Sequence, residues 1–197
     1  MPCQPLEAAV TEVDIDSELA AHLKSLYSAY RRTEDIDAKG LFFSPRCAQI
    51  CRPQPSYAAT SRDEIVQYLH DVANNKSDVV KASLDNTESE VKKKGYYTIR
   101  PLKKDEVDFG SDEMAGAAGF RSAQELKQKA EKDGWVGMRV DLWNDDGSDD
   151  QGKPKGLLVK VQYWWAKEGD GWLQILHHIM YMGPRDGTEG TGGGILE

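Results

Sequence analysis

The chain has 197 residues, 39% of them hydrophobic, and sets 33 Asp and Glu against 25 Lys and Arg for a net charge of −8. That length supports a real core without a disulfide or structural metal, and the acidic balance, with a pI near 5.1, excludes nucleic acid as the main partner because phosphate contacts come from clustered Lys and Arg. Cys3, Cys47 and Cys51 form no Cys-x-x-Cys pair, the N-terminus lacks the basic start and apolar run of a secretory signal, and no stretch approaches the ~18 apolar residues of a membrane span, so a cytoplasmic protein is expected.

Residues 1–16 lack periodicity and read as a lead-in. From Ser17 onward, Leu19, His22, Leu23, Leu26, Tyr27 and Tyr30 fall at helical spacing, with Asp16 or Ser17 as cap and Arg31 and Arg32 at the negative end of the dipole. A short helix over 38–43 follows, capped by Asp35 or Asp37 and stopped at Ser44-Pro45. Residues 47–53 read as a strand. Ser61-Arg-Asp-Glu64 has capping-box spacing and opens a third helix with Ile65, Tyr68, Leu69 and Val72 on one face. Strands are expected at 79–84 and 96–100, the latter ended by Pro101.

Residues 103–134 read as an insertion with a small-residue stretch and a helix, and its Gly110, Gly116 and Gly119 suit either the hinges of a lid over a pocket mouth or a plain surface excursion. Three long strands close the domain at 135–143, 156–167 and 171–182, the last two joined by the tight hairpin Glu168-Gly-Asp-Gly171. The Gly-rich residues 184–197 read as a flexible tail.

A period of two divides these strands into an apolar and a mixed face. Val136, Met138, Val140 and Leu142 share the first, as do Val159, Val161, Tyr163 and Trp165, and Leu173, Ile175, His177, Ile179 and Tyr181. Arg139, Asp141, Lys160, Gln162, Gln174 and His178 fall on the second. Helices first and sheet last is an α+β arrangement, with an antiparallel sheet covered on one face by three N-terminal helices.

In this order, Tyr30-RRTEDIDAKGLFFSP-Arg46, SRDEIVQYL and VQYWWAKEGDGWLQILHHI resemble the SnoaL-like branch of the nuclear transport factor 2-like superfamily. The resemblance covers about residues 17–183 and implies a cone: a curved antiparallel sheet wrapped around the helices, with a pocket inside. It also implies a homodimer, since many proteins of this fold pair through the open sheet face. Laid on scytalone dehydratase of the same superfamily, the chain puts Arg31 and Arg32 where that enzyme has a Tyr-Asp pair, so the likeness sets the pocket's location and not its chemistry.

Within such a cone His177 is the candidate acid or base, a titratable group on an apolar strand face, unless it is simply a bonded core histidine. A one-residue slip would exchange it with His178. Tyr163 and Tyr181 are the candidate partners that polarise a carbonyl, and Trp165, Tyr97, Val161, Ile175, Met138 and Tyr30 the ligand-contacting positions. Core packing is the competing reading for these aromatic residues, for Trp164 and for Trp172. Asp35 and Asp37 fit helix capping better than a base at the mouth. Arg31, Arg32, Arg46 and Arg52 would bind an anion only if some converge on the pocket. The Asp145, Asp146, Asp149, Asp150 loop lacks EF-hand order, and Cys47 and Cys51 read as small buried hydrophobes.

Two readings follow. One is a hydrophobic-pocket protein, possessing neither metal nor cofactor, that acts as an isomerase, cyclase or dehydratase on a polycyclic or polyketide-like small molecule. The other is a non-catalytic module that pairs with a second copy through the mixed face. Neither calls for nucleic acid or a membrane.

Overall fold

A computed structural model describes residues 15–74 and 94–197, so the strand expected at 79–84 lies outside the described residues. Helix α1 (Ser17–Arg32) starts where the Asp16 carboxylate accepts the Glu18 amide, and it buries Ala20, Leu23, Tyr27 and Tyr30. Helix α2 (Ile36–Lys39) is capped by Asp35, which accepts the Ala38 amide at 2.8 Å. It continues as a 3-10 turn into strand β1 (Phe43–Cys51), which begins earlier than the sequence pattern suggests. Helix α3 (Arg62–Ala73) is capped by Ser61 and buries Ile65 and Tyr68. Strands β2 (Gly95–Pro101), β3 (Val136–Asn144), β4 (Leu157–Glu168) and β5 (Gly171–Pro184) complete a sheet of order β1-β5-β4-β3-β2.

The pairs β2–β3, β3–β4 and β4–β5 are antiparallel, whereas β1 runs parallel to β5. The three closing strands are antiparallel as expected, and β1 is the one parallel addition to the antiparallel sheet. A tight hairpin forces antiparallel neighbours, but β1 and β5 are far apart in the chain and no turn dictates their relative direction.

Parity along β5 is also broken twice. Trp164 pairs with Leu176 but Trp165 with Gln174, and Lys160 pairs with Tyr181 but Val161 with Ile179, so Ile175 and Met180 are each an extra residue. Each bulge moves the residues beyond it to the opposite face. His177 and Ile179 therefore stay inside with Tyr163 and Val161, while Gln174 and Met182 turn in and Ile175 and Tyr181 turn out.

The inner face packs on α1 and α3 in a core that includes Leu23, Tyr27, Ile65, Met138, Val161 and Trp165. The outer face is not open. The insertion, with helices α4 (Asp112–Ala117) and α5 (Ala123–Lys132), lies across β1, β5 and β4 and forms a second core of Ile50, Phe109, Leu126, Ala130, Trp164 and Leu176. Phe109 stacks on Trp164 at 4.7 Å. Gly137 permits this approach, since a Cβ there would lie 3.2 Å from the Trp164 ring and 2.9 Å from Leu102. The insertion is thus neither a lid over the inner cavity nor a loose excursion, because its apolar residues need the sheet to leave water.

Residues 184–197, expected as a flexible tail, fold back on the other half of that face. Leu196 exchanges backbone hydrogen bonds with Tyr97 at 2.8 and 2.9 Å, which covers the β2 edge. Lys160 pairs with Asp186, and the Arg185 guanidinium binds Asp145 and Glu189. Of the residues assigned to self-pairing, Asp141, Gln162 and His178 are buried on the outer face and Gln174 on the inner face, while Arg139 and Lys160 stay partly exposed.

Candidate functional site

The inner face holds a cavity of about 250 Å³ between α1, α3 and strands β3 to β5. Three tyrosines define one wall. Tyr27 and Tyr30 sit one helical turn apart on α1, and Tyr163 comes from β4; the Tyr27 ring lies 5.3 Å from Tyr163 and 5.6 Å from Tyr30. The Tyr163 hydroxyl is within reach of both other hydroxyls. The Tyr27 hydroxyl is buried and makes no well-aligned hydrogen bond. Burial holds all three phenols well above their usual range, so they remain donors at neutral pH, while the Arg31 charge pulls each the other way.

His177 meets the Tyr163 ring edge-on at 4.8 Å. Its Nε2 lies 2.6 Å from Gln174 Oε1. An amide oxygen only accepts, so Nε2 carries the proton and Nδ1 keeps its lone pair, with no protein partner among the described residues. Burial lowers the pKa to about 3, and the ring is neutral. Gln49, paired with His177 across β1 and β5, and Met182 also line the cavity.

Among the sequence candidates, the fold brings His177, Tyr163, Tyr30 and Val161 to the cavity. Met138 and Trp165 are buried in the core beneath it, and Tyr97 stands behind Tyr27 at 5.6 Å. Tyr181 is on the opposite face, donating to the Pro184 carbonyl at 2.6 Å beneath Lys160. Ile175 lines a second groove of about 390 Å³ beside the insertion, together with Arg46 and Glu168. Both are corrections caused by the β5 bulges. Tyr27, Tyr68, Gln49 and Met182 complete the cavity without having been singled out. The helical stripe of α1 and α3 carried the signal for the two tyrosines; nothing in a period of two marks Gln49 or Met182.

His178 has a different setting. Arg52 Nε donates to its Nε2 at 3.0 Å, so its Nδ1 carries the proton and donates to the Asp108 carbonyl at 2.8 Å. Arg52 also pairs with the Asp108 carboxylate, and Gln162 bonds the Asp108 amide and the Glu106 carbonyl. This network ties the insertion to the sheet. Three further candidates are structural: Asp37 binds His70 at 3.0 Å, and Cys47 and Cys51 are buried thiols raised by desolvation, Cys51 to about 11. Among the described residues no group of three His, Cys, Asp or Glu side chains could hold a metal ion, and no helix is long and apolar enough to cross a membrane.

Similar solved structures include a ketosteroid isomerase-like protein from Erwinia carotovora atroseptica, at 12% identity and TM-score 0.45, covering 87% of this chain and 99% of that one. Another, named as a calcium/calmodulin dependent protein kinase II association domain, comes from Xanthomonas campestris, at 14% identity and TM-score 0.41, covering 89% and 95%. A search of curated proteins finds no significant match. A family profile described as SnoaL-like domain matches residues 12–197, a span that takes in both the insertion and the folded-back tail. With the profile spanning nearly the whole chain and the curved α+β sheet agreeing with it, the protein belongs to the SnoaL-like domain family.

Proposed function

We propose that this protein binds a hydrophobic small molecule of polycyclic or polyketide-like shape in the inner-face cavity and acts on it by cofactor-independent acid–base chemistry, as an isomerase, cyclase or dehydratase. One observation carries the reading. Tyr27, Tyr30, Tyr163 and His177 line one largely apolar cavity, and the described hydrogen bond of the His177 ring engages only its Nε2, with Gln174. The tyrosines suit a carbonyl oxygen, whose developing enolate charge they stabilise, and His177 Nδ1 suits the proton being removed. Burial sets the pKa of about 3; negative charge developing beside the ring raises it, and the imidazolium formed keeps its Nε2–H on Gln174.

Titration with 2-naphthol, followed by its own fluorescence, tests the binding. Saturable binding below about 1 mM is expected, with loss in Val161→Trp, which fills the cavity, and about tenfold weakening in Tyr163→Phe from the lost hydrogen bond. Absence of saturable binding, or equal binding by Val161→Trp, overturns the reading.

A further inference from the structure

We infer that the molecule bound in this cavity carries a carboxylate at one end, held by Arg31 at the mouth, with its apolar body among the tyrosines. The inference rests on the proposed small-molecule reading and adds its charge. Although acids outnumber bases in the chain, 33 to 25, no acidic side chain among the described residues lines the cavity, and Arg31 is the cation that does.

Four arginines were candidates for an anion. Arg52 is committed to His178 and Asp108, and Arg46 reaches Glu168 on the opposite face. Arg32 turns back on its own helix, donating to the Ser28 carbonyl at 3.3 Å and hydroxyl at 2.9 Å. Among the described residues Arg31 makes neither kind of bond. Its guanidinium lies 5.6 Å from the Tyr97 ring centroid, and one terminal nitrogen would be 3.7 Å from a Cβ at Gly95. The charge is therefore placed by a cation–π contact while its donors have no acidic partner among the described residues.

Lys39 adds to this potential. Its Nζ donates to the Tyr30 carbonyl at 2.8 Å and lies 4.5 Å from the Tyr30 ring centroid, again without an acid. Burial and, less, the Arg31 charge bring its pKa down to about 8. A planar guanidinium with free parallel donors matches a carboxylate in two-point contact. The apolar walls around Tyr68, Leu69, Val72 and Met182 demand that the rest of the ligand be hydrocarbon-like.

Paired titrations with 2-naphthoic acid and neutral 2-naphthamide at neutral pH test this. The acid should bind at least about tenfold tighter, the scale of a charge-assisted hydrogen bond. High salt should shrink that preference. Arg31→Gln should erase it while leaving 2-naphthamide within about twofold, and Arg32→Gln, with the same change in net charge, should preserve it. If the amide binds and the acid binds no tighter, or if Arg31→Gln keeps the preference, the carboxylate assignment falls and the cavity reading stands. If neither probe nor 2-naphthol binds, the cavity reading falls and takes this one with it.

Discussion

The two faces of the sheet treat adjacent histidines in opposite ways. On the outer face the His178 ring nitrogens are both engaged, one by Arg52 and one by Asp108, and the surrounding Gln162 is bonded to the insertion as well. On the inner face the described bond of His177 engages one nitrogen, and a cavity remains between the His177, Tyr27, Tyr30 and Tyr163 side chains. A bonded buried network ties two layers together, whereas a cavity lined by polar side chains offers a ligand groups to pair with. The outer face thus reads as architecture and the inner face as a site.

Breaking the outer face should have the largest effect. Trp164→Ala removes the indole that stacks on Phe109 and should cost about 3–5 kcal/mol in urea unfolding. Hydrogen exchange should rise in α4 and α5 ahead of α1 and α3. Equal protection of all four helices would show that the insertion does not depend on that core.

The next effect distinguishes neither face but tests that both histidines are buried neutral. Desolvation lowers both, His177 from 6.5 to about 3. The unfolded chain binds more protons as pH falls through 6.5, so stability declines from there downward, by up to about 1.4 kcal/mol per pH unit for each histidine. Glu106, held at about 2 by Arg100, begins its own loss only below its ordinary value of 4.5. Chemical unfolding between pH 4.5 and 6.5 reads the histidines, and His177→Gln should flatten the slope there by one histidine's share.

The smallest effect sharpens the contrast most. Tyr27→Phe deletes a buried hydroxyl that makes no well-aligned hydrogen bond, so stability should hold or rise by about 1 kcal/mol while 2-naphthol binding weakens. A stability loss above that size would mean the hydroxyl is well bonded within the protein and is not poised for a ligand.

Much of this was legible along the chain. The α1 and α3 stripes, the Ser61 cap and the alternation on β3 and β4 are local consequences of period and capping, and they placed Tyr30, Tyr163, Val161 and His177 on the inner face correctly. Tyr181 and Ile175 were misplaced because a period of two assumes an unbroken ladder, and the bulges at Ile175 and Met180 arise from pairing with β4. The insertion looked detached because its apolar residues are sparse: Phe109, Leu126 and Ala130 make a core only when set against Trp164 and Leu176.

By itself the amino-acid sequence determined the α+β order, the span of α1, the start of α3 and the face of most strand residues, because hydrogen-bonding period and side-chain burial act over a few residues. Only tertiary structure decided the direction of β1, which tyrosines share the cavity with His177, that the mixed face is covered, and which of four arginines stands at the mouth. Those outcomes depend on contacts between residues distant in the chain, where one bulge or one bonded neighbour reverses a side chain's role and no local pattern records it.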